Sequence, residues 1–338
     1  MPPQRPSAPG RPLTDAQRAA IDASTQRMLK RARERRRVGR YRLQTALILP
    51  LVGLLRLLPV EAASNLGGWI GRTFVRRIED LKSFHRTIRV AFPQMGEAEM
   101  DELLAEMSAN VGRVLGESIH LEAFAGADNA RLELSGVEHV EAARREGRGI
   151  LFVGGHFANW ELFEVALANL GLSGAKVLQH PSNPFVLGLV ARHRYAYGLD
   201  EQIATGEGVF ARVRDALRAG RVVQMLADQR TSKGAKVPFF GLETTTNLVP
   251  ARAARETDAP MIMMSMRRLG PARFAIGFSP PRRFGPDDDE VAIMAEINRF
   301  FEEQLRATPA HWLWGHPRWG DVFENIPAQP LVTPPSGR

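Results

Sequence analysis

Ile150-Leu151-Phe152-Val153-Gly154-Gly155-His156-Phe157-Ala158-Asn159-Trp160-Glu161-Leu162-Phe163-Glu164 is the stretch on which the fold turns. Apolar residues run into two glycines and a histidine, and apolar positions then recur at helical spacing through Trp160, Phe163, Leu167 and Leu170 to Gly171. That pattern predicts strand, tight turn, helix. The diglycine permits a sharp turn and close approach of a substrate to the main chain. A histidine there stands at the carboxyl edge of a sheet, where open α/β sheets bind ligands. On an ideal helix, residues five apart sit about 140° from each other. His156 and Glu161 can therefore meet only if His156 lies in the turn.

Imidazole titrates near neutrality and can take a proton from an alcohol, while a carboxylate on its other ring nitrogen fixes the tautomer. The pair therefore suits acyl transfer to a hydroxyl, with His156 as base and Glu161 as its orienting partner. The same spacing also fits a structural histidine beside a helix start, with Glu161 a favourable first-turn carboxylate.

Composition narrows the chemistry. The 338 residues are 44% hydrophobic and 24% charged, an ordinary globular balance. The absence of cysteine removes disulfides, thiol nucleophiles and thiolate metal sites together. No Gly-x-Ser-x-Gly, His-Glu-x-x-His or Walker A sequence occurs.

The net charge of +8 is concentrated in one place. Residues 1–42 hold 12 Lys and Arg against 3 Asp and Glu, a balance of +9, and the rest of the chain holds 33 against 34, a balance of −1. Residues 1–42 read as a basic tail, disordered over Met1 to Pro12 and helical from Thr14 to Arg42. The apolar run from Thr45 to Val60 contains Pro50 and Arg56 and falls short of the roughly 20 residues that span a bilayer. Residues 43–60 are thus expected to associate with a membrane at its interface, the arginines meeting lipid phosphates. The basic region ahead of the run is too long for a signal peptide.

Residues 61–125 read as helical, with stripes through Leu66, Ile70, Phe74 and Ile78 and through Met100, Leu103, Leu104, Met107, Val111, Leu115 and Ile119, broken at Pro93 and Gly96. From 126 to 325 strands alternate with helices. Candidate strands are 131–135, 150–153, 175–179, 202–205, 222–227, 261–267 and 274–278. The fold class expected is α/β: a mixed central sheet flanked by helices, behind a helical N-terminal region. Residues 326–338 read as a flexible tail. Gly206-x-Gly208-x-x-Ala211, with Asp228 further on, imitates a dinucleotide fingerprint, but its strand is short and polar, and it reads as a turn into a surface helix.

His156-Phe-Ala-Asn-Trp-Glu161 resembles the His-x4-Asp/Glu motif of glycerolipid and lipid A acyltransferases. Further blocks resemble the late lipid A (Kdo-dependent lauroyl and myristoyl) branch. They are Asn110-Val-Gly-Arg113 with Glu117, Ser182-Asn183-Pro184 with Arg192 and Arg194, Leu226-Ala-Asp228-Gln229, Pro238-Phe239-Phe240-Gly241, and Trp312-Leu-Trp314-Gly-His316-Pro-Arg318-Trp319. The resemblance runs from about Leu47 to Trp319. Two departures fall at its end: Pro309-Ala310-His311 stands where the family usually has Pro-Glu-Gln, and Gly320 where it usually has a cation.

The resemblance implies acyl transfer from acyl carrier protein to a hydroxyl of a glucosamine-based lipid, at the cytoplasmic face of the inner membrane, without metal, cofactor or nucleic acid. His156 and Glu161 are the expected catalytic pair. Asn183, Arg192, Arg194, Asp228, Gln229, Phe239, Phe240, Gly241 and Arg318 are expected around the substrates: arginines on phosphate, phenylalanines along the acyl chain, and Trp312, Trp314, His316, Arg318 and Trp319 where protein meets membrane. A lipid esterase would share the His156 and Glu161 pair, another glycolipid or phospholipid could be the acceptor, and a non-enzymatic basic membrane or nucleic-acid binding protein would use the tail alone.

Overall fold

The computed structural model describes residues 12–34, 37–75, 81–179, 183–316 and 318–320. Residues 1–11 of the expected disordered opening, Arg35 and Arg36, Ile78, Ser182 and the C-terminal tail lie outside them. The basic segment divides into α1 (Asp15–Glu34) and α2 (Val38–Arg56). Thr14 and Gln17 form a reciprocal cap at the head of α1, Gln17 N–H donating to Thr14 Oγ1 at 3.2 Å and Thr14 N–H to Gln17 Oε1 at 3.0 Å. α2 carries Pro50 inside it and leaves most of its apolar side chains exposed, Leu47 at 69% and Leu54 at 57%. Among the described residues no helix is long and apolar enough to cross a membrane.

Next come α3 (Val60–Ile70), a short π-helical turn (Gly71–Val75), α4 (Leu81–Ala91) and α5 (Glu97–Ser118). The break between α4 and α5 falls where Pro93 and Gly96 predict it. α3 and α5 touch backbone to backbone: a methyl group at Gly67 or Gly112 would collide with the other's carbonyl.

The α/β part contains β1 (Leu132–Ser135), α6 (Val137–Arg145), β2 (Leu151–Gly154), α7 (Leu162–Asn169), β3 (Gly174–Leu178), α8 (Pro184–Tyr197), β4 (Glu201–Ala204), α9 (Val209–Arg218) and β5 (Val222–Leu226). It continues through β6 (Arg230–Phe239), β7 (Leu242–Thr246), α10 (Val249–Thr257), β8 (Met261–Gly270), β9 (Arg273–Phe278) and α11 (Glu290–Ala307). All seven predicted strands are present, and together they make one sheet in the order β1-β9-β8-β2-β5-β3-β4. The sheet is mixed, β9 running antiparallel to β8 and the other neighbours parallel. The Gly206 motif is a turn into α9, with Gly208 left-handed at the cap.

Strand periodicity divides the core in two. On one face Leu151, Val153, Val223 and Met225 meet α5, α9, α10 and α11. On the other, Phe152 and Val222 meet α6 and α7. The hairpin β6-β7 was not predicted. Its first half, Arg230 to Lys236, is polar and holds Gly234, so it lacks the apolar alternation of a strand. Its turn, Phe240 at φ 50° and Gly241 at φ 74°, uses the two left-handed residues of a tight hairpin.

Candidate active site

Strand register builds the site. β2 and β5 are parallel neighbours with Gly154 opposite Leu226, so two residues past each partner His156 comes level with Asp228. The Nδ1 of His156 lies 2.8 Å from Asp228 Oδ1, and the His156 backbone N–H donates to Asp228 Oδ2 at 2.9 Å. The indole N–H of Trp312 donates to the same Oδ2 at 2.7 Å. Burial alone would raise the Asp228 carboxyl, but His156, with Trp312 assisting, holds it at about 2. An ionised Asp228 accepts from Nδ1–H, which leaves Nε2 of a neutral His156 as a base. Nε2 is 3.4 Å from Gln229 Nε2, and the Trp160 ring packs edge-on against the imidazole with centroids 5.3 Å apart.

The imidazole opens onto a cleft of about 990 Å³, lined among others by His156, Trp160, Glu161, Lys176, Arg194 and Gln229. Glu161 does not orient His156 as expected. It sits just ahead of α7 with its carboxylate turned to two cations, Lys176 Nζ at 3.1 Å and Arg194 Nε and Nη2 at 2.8 and 2.7 Å. Burial would raise its carboxyl, yet Lys176 and Arg194 hold it far below the usual carboxylate range. Glu164, which also accepts from Lys176 at 2.8 Å, is pushed up by burial. The reason for the exchange is electrostatic: two buried cations, Lys176 and Arg194, stand beside Glu161 and pair with its carboxylate. The Nδ1 position of His156 is taken by Asp228.

Of the other predicted site residues, Arg194, Asp228 and Gln229 converge on the histidine or its cleft, but Asp228 acts on the histidine itself. Arg192 is exposed and lies outside the cleft lining. Asn183 caps α8, accepting from Phe185 N–H at 3.0 Å and donating to Tyr41 O and Thr45 Oγ1 on α2, both at 3.1 Å. Phe239 is buried in the core, stacked on Trp319 with centroids 5.4 Å apart, and Phe240 and Gly241 form the hairpin turn, so none of the three lines the cleft.

The C-terminal aromatic block is interior rather than at a membrane surface. Trp312, Trp314 and Trp319 are each 1% exposed, and their indole N–H groups are satisfied inside, by Asp228, Pro309 O and Phe239 O. Arg318 is fully buried over the Phe239 ring and donates to Thr246 Oγ1 at 3.0 Å and Asn298 Oδ1 at 3.2 Å. Burial lowers its guanidinium to about 10. Among the described residues no cluster of His, Asp or Glu is suited to a metal ion.

A Trp–Asp–His arrangement past the carboxyl ends of the parallel strands β2 and β5, facing a cleft, fits base-assisted acyl transfer. The family model described as bacterial lipid A biosynthesis acyltransferase matches residues 29–321. The lipid A biosynthesis lauroyltransferase of Escherichia coli (strain K12) is 27% identical over 283 residues, 80% of this chain and 90% of that protein. The lipid A biosynthesis palmitoleoyltransferase of the same strain is 26% identical over 271 residues, 78% of this chain and 86% of that protein. A phosphatidylinositol mannoside acyltransferase of Mycobacterium tuberculosis (strain ATCC 25618 / H37Rv) is 26% identical over 201 residues, 58% of this chain and 63% of that protein. With the family model covering most of its length, the chain belongs to the bacterial lipid A biosynthesis acyltransferase family.

Proposed function

We propose that this acyltransferase moves a fatty acyl group from the thioester of acyl carrier protein onto a hydroxyl of a lipid A precursor, at the cytoplasmic face of the inner membrane. The observation that carries the reading is the pairing of His156 Nδ1 with buried Asp228, which leaves Nε2, 3.4 Å from Gln229 Nε2, on the cleft side. His156 Nε2 takes the hydroxyl proton as the oxygen attacks the thioester carbonyl. The tetrahedral intermediate collapses, the carbon–sulfur bond breaks, and the imidazolium returns the proton to the departing thiolate. Asp228 stays ionised and stabilises the imidazolium. Glu161 keeps Arg194 and Lys176 fixed at the cleft wall, where a guanidinium favours a phosphorylated substrate. The basic residues of α1 and the exposed leucines of α2 would hold the cleft near lipid.

The test is to incubate purified protein with dodecanoyl-acyl carrier protein and either a lipid A precursor or a phosphatidylinositol mannoside, following acylated product and free fatty acid. Acylated lipid A precursor supports the proposal. Preferential acylation of the mannoside would change the acceptor, and release of free fatty acid regardless of acceptor would make the protein an esterase.

A further inference from the structure

Behind the His156 turn lies a buried polar network that the chemistry above does not use. Asn110 and Glu117 are two turns apart on α5, hence on one face of it. Asn110 is 5% exposed, and its amide is used at both ends. Nδ2 donates to Ala158 O at 3.1 Å and to His311 O at 3.4 Å, while Oδ1 accepts from Arg268 Nε at 3.1 Å. Arg268, at the far end of β8, also forms a two-pronged ion pair with Glu117, Nη1 meeting Oε1 and Nη2 meeting Oε2 at 3.0 Å. Glu117, fully buried, also accepts from Asn159 Nδ2 at 3.0 Å and Ser64 Oγ at 2.6 Å.

The two carbonyls that Asn110 joins belong to the two segments forming the catalytic arrangement. Ala158 is in the turn that carries His156, at φ 46°, a conformation that costs a residue with a side chain and persists only where its surroundings enforce it. His311 begins the segment that carries Trp312, the donor to Asp228. The segments also bond directly, Ala158 N–H to His311 O at 2.8 Å and Leu313 N–H to His156 O at 3.1 Å.

We propose that Asn110 is a positioning residue for the reaction, its amide donors clamping the His156 turn to the Trp312 segment so that imidazole, carboxylate and indole stay in register. The inference rests on His156 being the base. Asn110→Asp separates the donor role from mere packing, since aspartate keeps an acceptor for Arg268 in the same shape but loses both donors to the carbonyls. Asn110→Asp, Asn110→Ala and His156→Ala are compared with the parent protein on dodecanoyl-acyl carrier protein and a lipid A precursor in detergent, with rates normalised to folded protein by circular dichroism.

The expected result is a kcat about 10- to 100-fold lower for both Asn110 variants, with KM for either substrate little changed, because small misplacements of a catalytic group have costs of this order. Hydrogen exchange should also quicken in peptides covering 155–162 and 309–313. Full kcat in Asn110→Asp, with His156→Ala inactive, overturns the clamp and leaves Asn110 a partner for Arg268 alone. Near-normal activity of His156→Ala overturns the base on which the clamp rests. If Asn110→Ala does not fold, Asn110→Asp alone decides through kcat and exchange.

Discussion

Asp228 holds His156 through both oxygens at once, Oδ1 on the imidazole Nδ1 at 2.8 Å and Oδ2 on the backbone N–H at 2.9 Å. One carboxylate thereby sets both the ring's tautomer and the turn that carries it. Asp228→Asn would keep the shape but present an amide N–H in place of one acceptor, to His156 or to Trp312. The acyl-transfer rate should fall about 10²–10⁴-fold with modest change in thermal stability. Steady-state rates and thermal melts check this.

Glu161 should behave differently, because its partners are Lys176 and Arg194. Glu161→Gln leaves two buried cations facing one remaining carboxylate, and unpairing a buried charge costs about 3–5 kcal/mol. The melting temperature should drop clearly, more than for Asp228→Asn. Adding Lys176→Met should recover part of the loss, since it leaves one cation, Arg194, against one carboxylate, Glu164. Calorimetry of the single and double variants measures the recovery, and a double variant no more stable than Glu161→Gln would contradict this charge balance.

How much of this was legible in the sequence follows from the distance over which each interaction acts. The seven sheet strands were legible because Val-Val-Gln-Met-Leu and Met-Ile-Met-Met-Ser-Met are local signals. The Asp228 partnership was not, because it depends on β2 and β5 being neighbours, and His156 and Asp228 are 72 positions apart in the chain. Glu161 was legible as important but assigned to the wrong neighbour, since its cations come from β3 and α8. The tryptophans read as interfacial because each carries a polar N–H on an apolar ring. Only the structure supplies the interior acceptors that let all three be buried.

Burial, with Arg268 and Arg267 nearby, depresses His311 from 6.5 to about 4. A depressed histidine stabilises the fold fully above its unfolded pKa and loses that contribution as pH falls through the window from about 6.5 to about 4. Its share of the stability slope is at most about 1.4 kcal/mol per pH unit. Denaturant unfolding between pH 7 and 4 should show a shallower decline for His311→Gln than for the parent chain. Parallel curves would remove His311 from the acid response.

The proposed membrane contact is tested by substitution rather than truncation, because α1 packs on α8, where Ile21 meets Ala191 and Tyr195. Leu47→Asp with Leu54→Asp should weaken flotation with anionic vesicles at any salt. Arg40→Gln with Arg42→Gln should weaken it mainly at low salt, each basic residue contributing on the order of 1 kcal/mol near such a surface. Flotation unchanged in both pairs would remove α2 as the anchor.

The most direct measurement is the initial rate of acyl transfer from acyl carrier protein by His156→Ala, alongside its melting curve. The account predicts a loss of about 10²–10⁴-fold with the fold retained, because His156 is held at the sheet edge by Asp228 and opens onto the cleft. A folded His156→Ala protein that transfers acyl groups at near the parent rate would contradict it.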